Sequence, residues 1–350
     1  MITQAEIAKR AGVSVYTVSC ALRGQAQVAA ETRARILKLA AEMGYQSNPA
    51  AVALAGQRHV KRKLPRTLRL GWFRHRYDTS ALAGFQAGCR ELGYEMELID
   101  WRAFANGMAM ERALWHRRVE GLVLATAVPE KGLETMWRQM NWGRFSVVKL
   151  SRGMPELRFH LIRHSAFDYA ALALKRVFGC GYRRVAVLLT ESRSREDDAA
   201  RLGAVLNYRE TELPEGACLE WRRVKEFFSD GHTLAELPWL RPWLQEFRPD
   251  AVLAFPWTWV ILVEAAGFRC PQDVAFAAIL GSQPGDWRLQ ISGSRAGEDE
   301  IARRAVHELH RQIVAGERGQ VDFPLEHVIE PYWVEGETLL KKPDATYPRH

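Results

Sequence analysis

The chain has 350 residues, 47% of them hydrophobic, and a net charge of +8, which suits more than one buried core and excludes a disordered or collagen-like chain. Apolar runs such as residues 274–280 fall far short of the roughly 20 residues that cross a bilayer, and the chain opens on a helix start rather than a signal segment, so a cytoplasmic location is expected. Cys20, Cys89, Cys180, Cys218 and Cys270 are odd in number and scattered, which fits reduced thiols better than disulfides or a metal site.

Thr3, three residues before Glu6, forms a capping box for a first helix with Ile7, Ala8 and Ala11 on its inner face. Gly12 suits a tight turn, and Ser14 caps a second helix reaching Leu22. Val18 and Leu22 of that helix point inward, which leaves Val15, Tyr16, Ser19 and Cys20 to face outward. Two short helices joined this tightly form a helix-turn-helix, whose second helix can enter a DNA major groove. On these residues alone, simple packing in an all-α subdomain stays open.

A third helix is expected over residues 31–43, with Ile36, Leu39, Ala40 and Met43 as its apolar stripe and Gly44 as its stop. Its N-cap position holds Ala29, which has no capping oxygen, although Glu31 still complements the helix dipole. Residues 47–56 then read as a short helix, with Pro49 in the first turn and Gly56 at the stop. A helix of this length is marginal alone in water and is expected to order on DNA with a partner subunit. Through Lys63 the chain carries ten lysines and arginines against three glutamates, +7 of its total +8. Positive charge so localised neutralises phosphates and releases counterions.

Residues 57–66 form the boundary, and beyond them short apolar runs alternate with amphipathic helices, the pattern of a parallel-sheet α/β domain. Strands are expected at residues 68–73, 95–99, 119–125 and 145–150, and in a second set at 184–189, 251–255 and 274–279. Helices are expected at residues 80–92, 169–177, 199–208 and 259–266. The tail 341–350 carries no leucine heptads, so no coiled-coil bundle is expected there.

Residues 6–14 read EIAKRAGVS, 17–19 TVS and 31–36 ETRARI, followed by Gly44-Tyr45 and by Asn48, Ala51 and Leu54 at fixed steps. This segment resembles the headpiece of the LacI/GalR regulators. Weaker matches continue to Leu340: RRVEGLVL at 117–124, GYRRVAVL at 181–188, PQDVA at 271–275 and WVEGETL at 333–339. The resemblance implies an all-α helix-turn-helix headpiece (1–46), a hinge helix and linker (47–66), a two-lobed α/β periplasmic-binding-protein-like domain (67–340) for effector binding and dimerisation, and a tail (341–350). It places the crossings between lobes near residues 159–161, 291–293 and 323–324. The function it implies is a non-enzymatic transcriptional regulator, a repressor, that binds a pseudo-palindromic operator as a homodimer under control of a small-molecule effector, with a sugar as the candidate class.

The DNA-facing set comprises Thr3, Val15, Tyr16, Thr17, Ser19, Cys20, Arg23, Asn48, Ala51 and Leu54. Val15, Tyr16 and Cys20 are the base readers, and the resemblance gives Leu54 the role of a minor-groove wedge. The family usually has arginine where Cys20 stands, so the base preference there should differ. Pro49 lies two places beyond the family's usual proline, where this chain has Ser47.

Ligands in open α/β lobes sit beyond strand carboxyl ends, which nominates Arg76, Tyr77, Asp78, Thr126 and Trp257, with Arg201 matching a family effector arginine. Acidic residues that the resemblance expects near Trp257, Gly281 and Ser165 are absent, which weakens a simple-sugar assignment, although Trp257 and Trp259 could stack on a ring or belong to the core. His307 and His310 are three apart, not the four of a zinc-protease helix, and no phosphate loop or nucleophile elbow occurs. No metal or cofactor is expected. Two alternatives remain: an effector-independent DNA binder with a degenerate cleft, and a transport binding protein, which the headpiece disfavours.

Overall fold

The computed structural model describes residues 2–22, 28–43, 45, 68–73, 79–125, 129–191, 194–224, 237–280 and 288–343. Compact units fall at residues 1–67 with 311–317, and at residues 68–310 with 318–350. The first unit holds α1 (Gln4–Ala11), α2 (Val15–Leu22) and α3 (Ala30–Glu42). Ile7, Ala8, Val18, Ala21, Val28, Ile36 and Ala40 form its core, with Leu39 and Met43 packed at the margin as the stripe requires. Ala29 makes no side-chain cap to α3, whereas Gly44 and the proposed hinge helix lie outside the described residues.

In the second unit, β1 (Arg69–Phe73), α4 (Thr79–Leu92), β2 (Glu95–Ile99), α5 (Gly107–His116), β3 (Val119–Leu124), α6 (Lys131–Gln139), β4 (Ser146–Lys149) and β5 (His160–His164) build a first lobe. The second lobe follows as α7 (Ala166–Gly179), β6 (Arg184–Thr190), α8 (Arg195–Thr211), β7 (Cys218–Val224), α9 (Leu240–Phe247), β8 (Ala251–Phe255), α10 (Trp259–Ala265), β9 (Ala275–Ala278) and β10 (Ser292–Arg295). The chain then returns through α11 (Glu298–Ala315) and β11 (Glu326–Ile329) before ending in β12 (Tyr332–Val334).

The sheets run β11-β5-β4-β3-β1-β2 and β12-β10-β9-β8-β6-β7. All pairings are parallel except β12 with β10. Parallel strands covered by helices on both faces must be apolar at nearly every position. Val185, Val187 and Leu189 accordingly pack beneath α7 and α8, while Ala186 and Leu188 pack beneath α9 and α10.

The chain passes between sheets after β5, after β10 and after β11, at residues 165, 296–297 and 330–331. Each crossing comes a few residues later than the sequence implied. The strands continue pairing through polar residues: Arg163 and His164 remain in register with Val328 and Ile329. Sequence periodicity found no separate α5, α6, α9, β5, β7, β10, β11 or β12. Edge strands such as β11, exposed along most of its length, carry no apolar run to announce them.

α4 lies on the first sheet with Phe85 5.1 Å from Trp72, and α11 crosses it at two glycines. A Cβ on Gly84 would sit 1.9 Å from the Asp299 carbonyl oxygen, and one on Gly88 would sit 3.0 Å from Val306 Cβ. Gly84→Ala must therefore displace the start of α11, at a cost of about 1–3 kcal/mol for overpacking. Urea denaturation should show a lowered midpoint; an unchanged one would contradict this backbone contact.

Candidate nucleic-acid face and ligand cleft

The Thr3 amide donates to Glu6 Oε2 at 2.7 Å and the Glu6 amide donates to Thr3 Oγ1 at 3.3 Å, closing the capping box. These hydrogen bonds from Thr3 hold the Glu6 carboxyl below its ordinary range. Thr3 is thus occupied in capping α1. Gly12 takes φ 66° at the end of α1, a conformation open to glycine at little cost, and Ser14 Oγ accepts the Thr17 amide at 3.0 Å. Arg35 reaches the Ala11 carbonyl at 3.3 Å and ties α3 to the end of α1.

These contacts fix the roll of α2. Val18 is fully buried, whereas Val15 and Tyr16 are 48% and 65% exposed. Thr17 and Ser19 flank them, half-buried, with the Thr17 hydroxyl 2.8 Å from Ser14 Oγ. Cys20 contradicts its expected outward placement. Its side chain is 1% exposed and belongs to the core that includes Val28 and Ile36. Position 20 lies at the border of the helix faces, and a side chain as small as a thiol packs there with Val28 and Ile36. The outward face therefore rests on Val15 and Tyr16. Arg23, Asn48, Ala51 and Leu54 lie outside the described residues.

In each sheet the strand order reverses at the first strand of the lobe, between β3 and β1 and between β8 and β6, where α/β sheets open a crevice at their carboxyl ends. Arg76, Tyr77, Asp78 and Thr126, nominated on the first lobe's side, lie outside the described residues. On the second lobe's side, Ser194 Oγ caps α8 by accepting the Asp197 amide at 3.3 Å. One turn on, Arg201 is 3% exposed. Its guanidinium lies 3.8 Å above the Phe255 ring, donates Nη1–H to the Tyr169 hydroxyl at 2.7 Å and donates Nη2–H to Asp198. Burial pushes the Tyr169 hydroxyl up to about 12, so it stays protonated. Trp257 is half-buried and packs against the core beside α10. Trp259 is core: it is fully buried, with Nε1 donating to Thr190 Oγ1 at 2.9 Å.

Sequence reasoning named Arg201 and missed what holds it. Asp198 was legible, three residues earlier on the same helical face; Tyr169 and Phe255 arrive from α7 and the end of β8. A cross-lobe ion pair was equally hidden. Arg152, just beyond β4, binds Glu326 of β11 at 2.7 Å and approaches Glu196 of α8 at 3.8 Å. Among the described residues no cluster of three or more histidine, cysteine or acidic side chains could hold a metal, and none of the helices is long and apolar enough to cross a membrane. His307 and His310 instead contact Glu91 and the Tyr94 hydroxyl, at 3.2 and 3.0 Å.

Residues 3–48 match the family described as bacterial regulatory proteins, lacI family. By this match, residues 3–48 are a LacI-type helix-turn-helix DNA-binding domain. It is 29% identical over 191 residues to the HTH-type transcriptional regulator PtxS of Pseudomonas plecoglossicida, an alignment covering 53% of this chain and 52% of that one. The match thus spans about half of that relative's length. The fold is similar to that of the transcriptional regulator CelR in complex with cellobiose, with a TM-score of 0.53 at 18% identity over 97% of this chain and 100% of the other. It is likewise similar to the lac repressor dimer bound to operator and the anti-inducer ONPF, with a TM-score of 0.53 at 17% identity over 97% and 99%. The chain therefore carries a LacI-type helix-turn-helix headpiece and a two-lobed periplasmic-binding-protein-like fold.

Two substitutions probe these placements. Cys20→Arg, which restores the family's usual residue, would force a guanidinium into the headpiece core and should lower its thermal midpoint, read by circular dichroism. Asp198→Ala would strand the buried Arg201 charge and should cost about 3–5 kcal/mol. Combining it with Arg201→Met should recover much of that loss in a double-mutant denaturation cycle; additive losses would refute the pairing.

Proposed function

We propose that this chain is a LacI-family, sequence-specific DNA-binding transcriptional regulator, acting as a repressor, that binds a pseudo-palindromic operator as a homodimer under small-molecule control. The exposed Val15–Tyr16 face of α2 carries the reading, set on a rigid capped turn, with most of the chain's excess positive charge in the residues through Lys63. Val15 and Tyr16 meet base edges in the major groove, while Thr17, Ser19 and Arg23 lie nearer phosphates. By resemblance, Asn48, Ala51 and Leu54 belong to a hinge helix, with Leu54 as the minor-groove wedge. A two-fold dimer presents two such faces to two half-sites.

The cleft between lobes is the proposed effector site. Support comes from the strand-order reversals at both carboxyl ends and from the folded likeness to a cellobiose complex. Effector binding would act by preferring one degree of lobe closure, and can shift operator affinity only as far as it discriminates between the two states. A specific observation keeps the second reading, an effector-independent binder, in play: Arg201 is already engaged by Asp198, Tyr169 and Phe255.

Selecting operators from random duplex DNA with the full-length protein tests the first reading. Paired half-sites should emerge, and Tyr16→Ala should weaken the selected site at least about tenfold, the scale of one lost base contact. Random output, or an unchanged affinity, would overturn the DNA-reading role of this face. Calorimetry against neutral sugars then separates regulated from effector-independent binding.

A further inference from the structure

β7 is the outermost strand of the second sheet: it pairs with β6 over all of Cys218–Val224, and among the described residues no strand pairs with its other side. The Cys218 amide donates to the Arg183 carbonyl at 2.7 Å, and the Val224 carbonyl accepts the Glu191 amide at 2.9 Å. The even-numbered residues of β7 thus turn their backbone groups toward β6, and by alternation Leu219, Trp221 and Arg223 turn theirs outward. At the middle of that free edge the Trp221 carbonyl accepts from the Arg222 guanidinium, which folds back on it at 3.1 Å. Cavities of about 530 and 560 Å³ flank the edge, lined by β7 with Arg209 of α8 and with Trp239 and Trp243 at the start of α9.

Exposed edges are commonly blunted by charges that repel a second strand. The charges of β7 do the reverse toward an inverted copy of the same strand. Inversion about Trp221 sets Glu220 opposite Arg222, Leu219 opposite Arg223 and Trp221 opposite itself. In that register every outward backbone group meets an outward group, and the Glu220–Arg222 pairs fall at the positions without hydrogen bonds, where opposing side chains come closest. Sliding the copy by two residues, the smallest step that keeps the backbone groups facing, sets Glu220 against Glu220 in one direction and Arg222 against Arg222 in the other. Both side chains are available: Glu220 uses Oε2 to accept Trp243 Nε1–H at 2.8 Å, and Arg222, 5.0 Å above the Trp243 ring, has no carboxylate partner among the described residues. We propose that β7 is a self-association edge, on which a second copy of this chain docks antiparallel about Trp221 and joins the two second-lobe sheets into one. The contact is two-fold and uses the same strand on both sides, so it closes on itself rather than propagating into a fibre. It is separate from the operator-binding pairing proposed above and does not rest on it.

Sedimentation equilibrium of the full-length chain without DNA reads this contact as mass. Glu220→Arg and Arg222→Glu each put like charges at both cross-strand pairs, and each should halve the wild-type mass at the same concentration. The double variant Glu220→Arg/Arg222→Glu restores opposite charges across the two-fold and should recover the full mass. Arg223→Pro removes an outward N–H while sparing the ladder to β6, and should also halve it. If the operator-binding pairing holds, the halving runs from tetramer to dimer; if that pairing fails, it runs from dimer to monomer, so the two readings are tested apart. A wild-type mass that neither charge variant lowers, or a folded double variant that stays at half mass, would overturn the proposal. Glu220 also holds Trp243, so should circular dichroism show Glu220→Arg unfolded, Arg222→Glu and Arg223→Pro decide it, and an unchanged mass in either counts against it.

Discussion

Three passages of the chain between two parallel sheets constrain everything else in the larger unit. Each sheet is assembled from distant parts of the sequence, so β5, β10 and β11 end one lobe's pairing while the next segment begins in the other. Parallel strands place their carboxyl ends on one edge, so a crevice at the strand-order reversal of each sheet follows from topology before any particular side chain is considered. The same topology puts His164 and Ser165 at the first crossing, the pivot between the sheets.

Charge buried at this pivot has to be resolved internally. Arg201 is almost fully enclosed, and an isolated guanidinium there would be strongly unfavourable. Asp198 neutralises it, Tyr169 takes another of its N–H groups and Phe255 covers its face. The pair is therefore better regarded as a means of orienting α8 against α7 and β8 than as a source of net stability. Arg152 works under different physics: its partners Glu196 and Glu326 are substantially exposed, so each contact contributes about 1 kcal/mol or less. Such a weak cross-lobe contact is compatible with a cleft that opens.

The headpiece is built differently, around a very small core and a few local caps. Thr3, Glu6, Gly12 and Ser14 act locally, within four residues of the groups they satisfy, and were legible for that reason. Cys20 was misread because helical period assigns a direction, whereas burial depends on what folds over that direction. Val28 and Ile36, from beyond the end of α2, pack with the Cys20 thiol and bury it. Family resemblance carried the expectation of a DNA-facing residue at position 20; the small side chain removed it.

The sequence by itself determined the capped helix-turn-helix, the headpiece charge and the alternation of apolar strands with helices, because capping, turn formation and two-sided burial leave signatures within a few residues. It also nominated Trp257 from its place after a strand, while Arg201 came from the family resemblance. Tertiary structure decided which of the outward-looking residues on α2 remain exposed, where the chain changes lobe, and what surrounds Arg201. Those outcomes depend on contacts between residues far apart in the chain: Arg201 with Tyr169 and Phe255, and Arg152 with Glu326. No local period encodes such contacts, since each exists only once the sheets have been assembled.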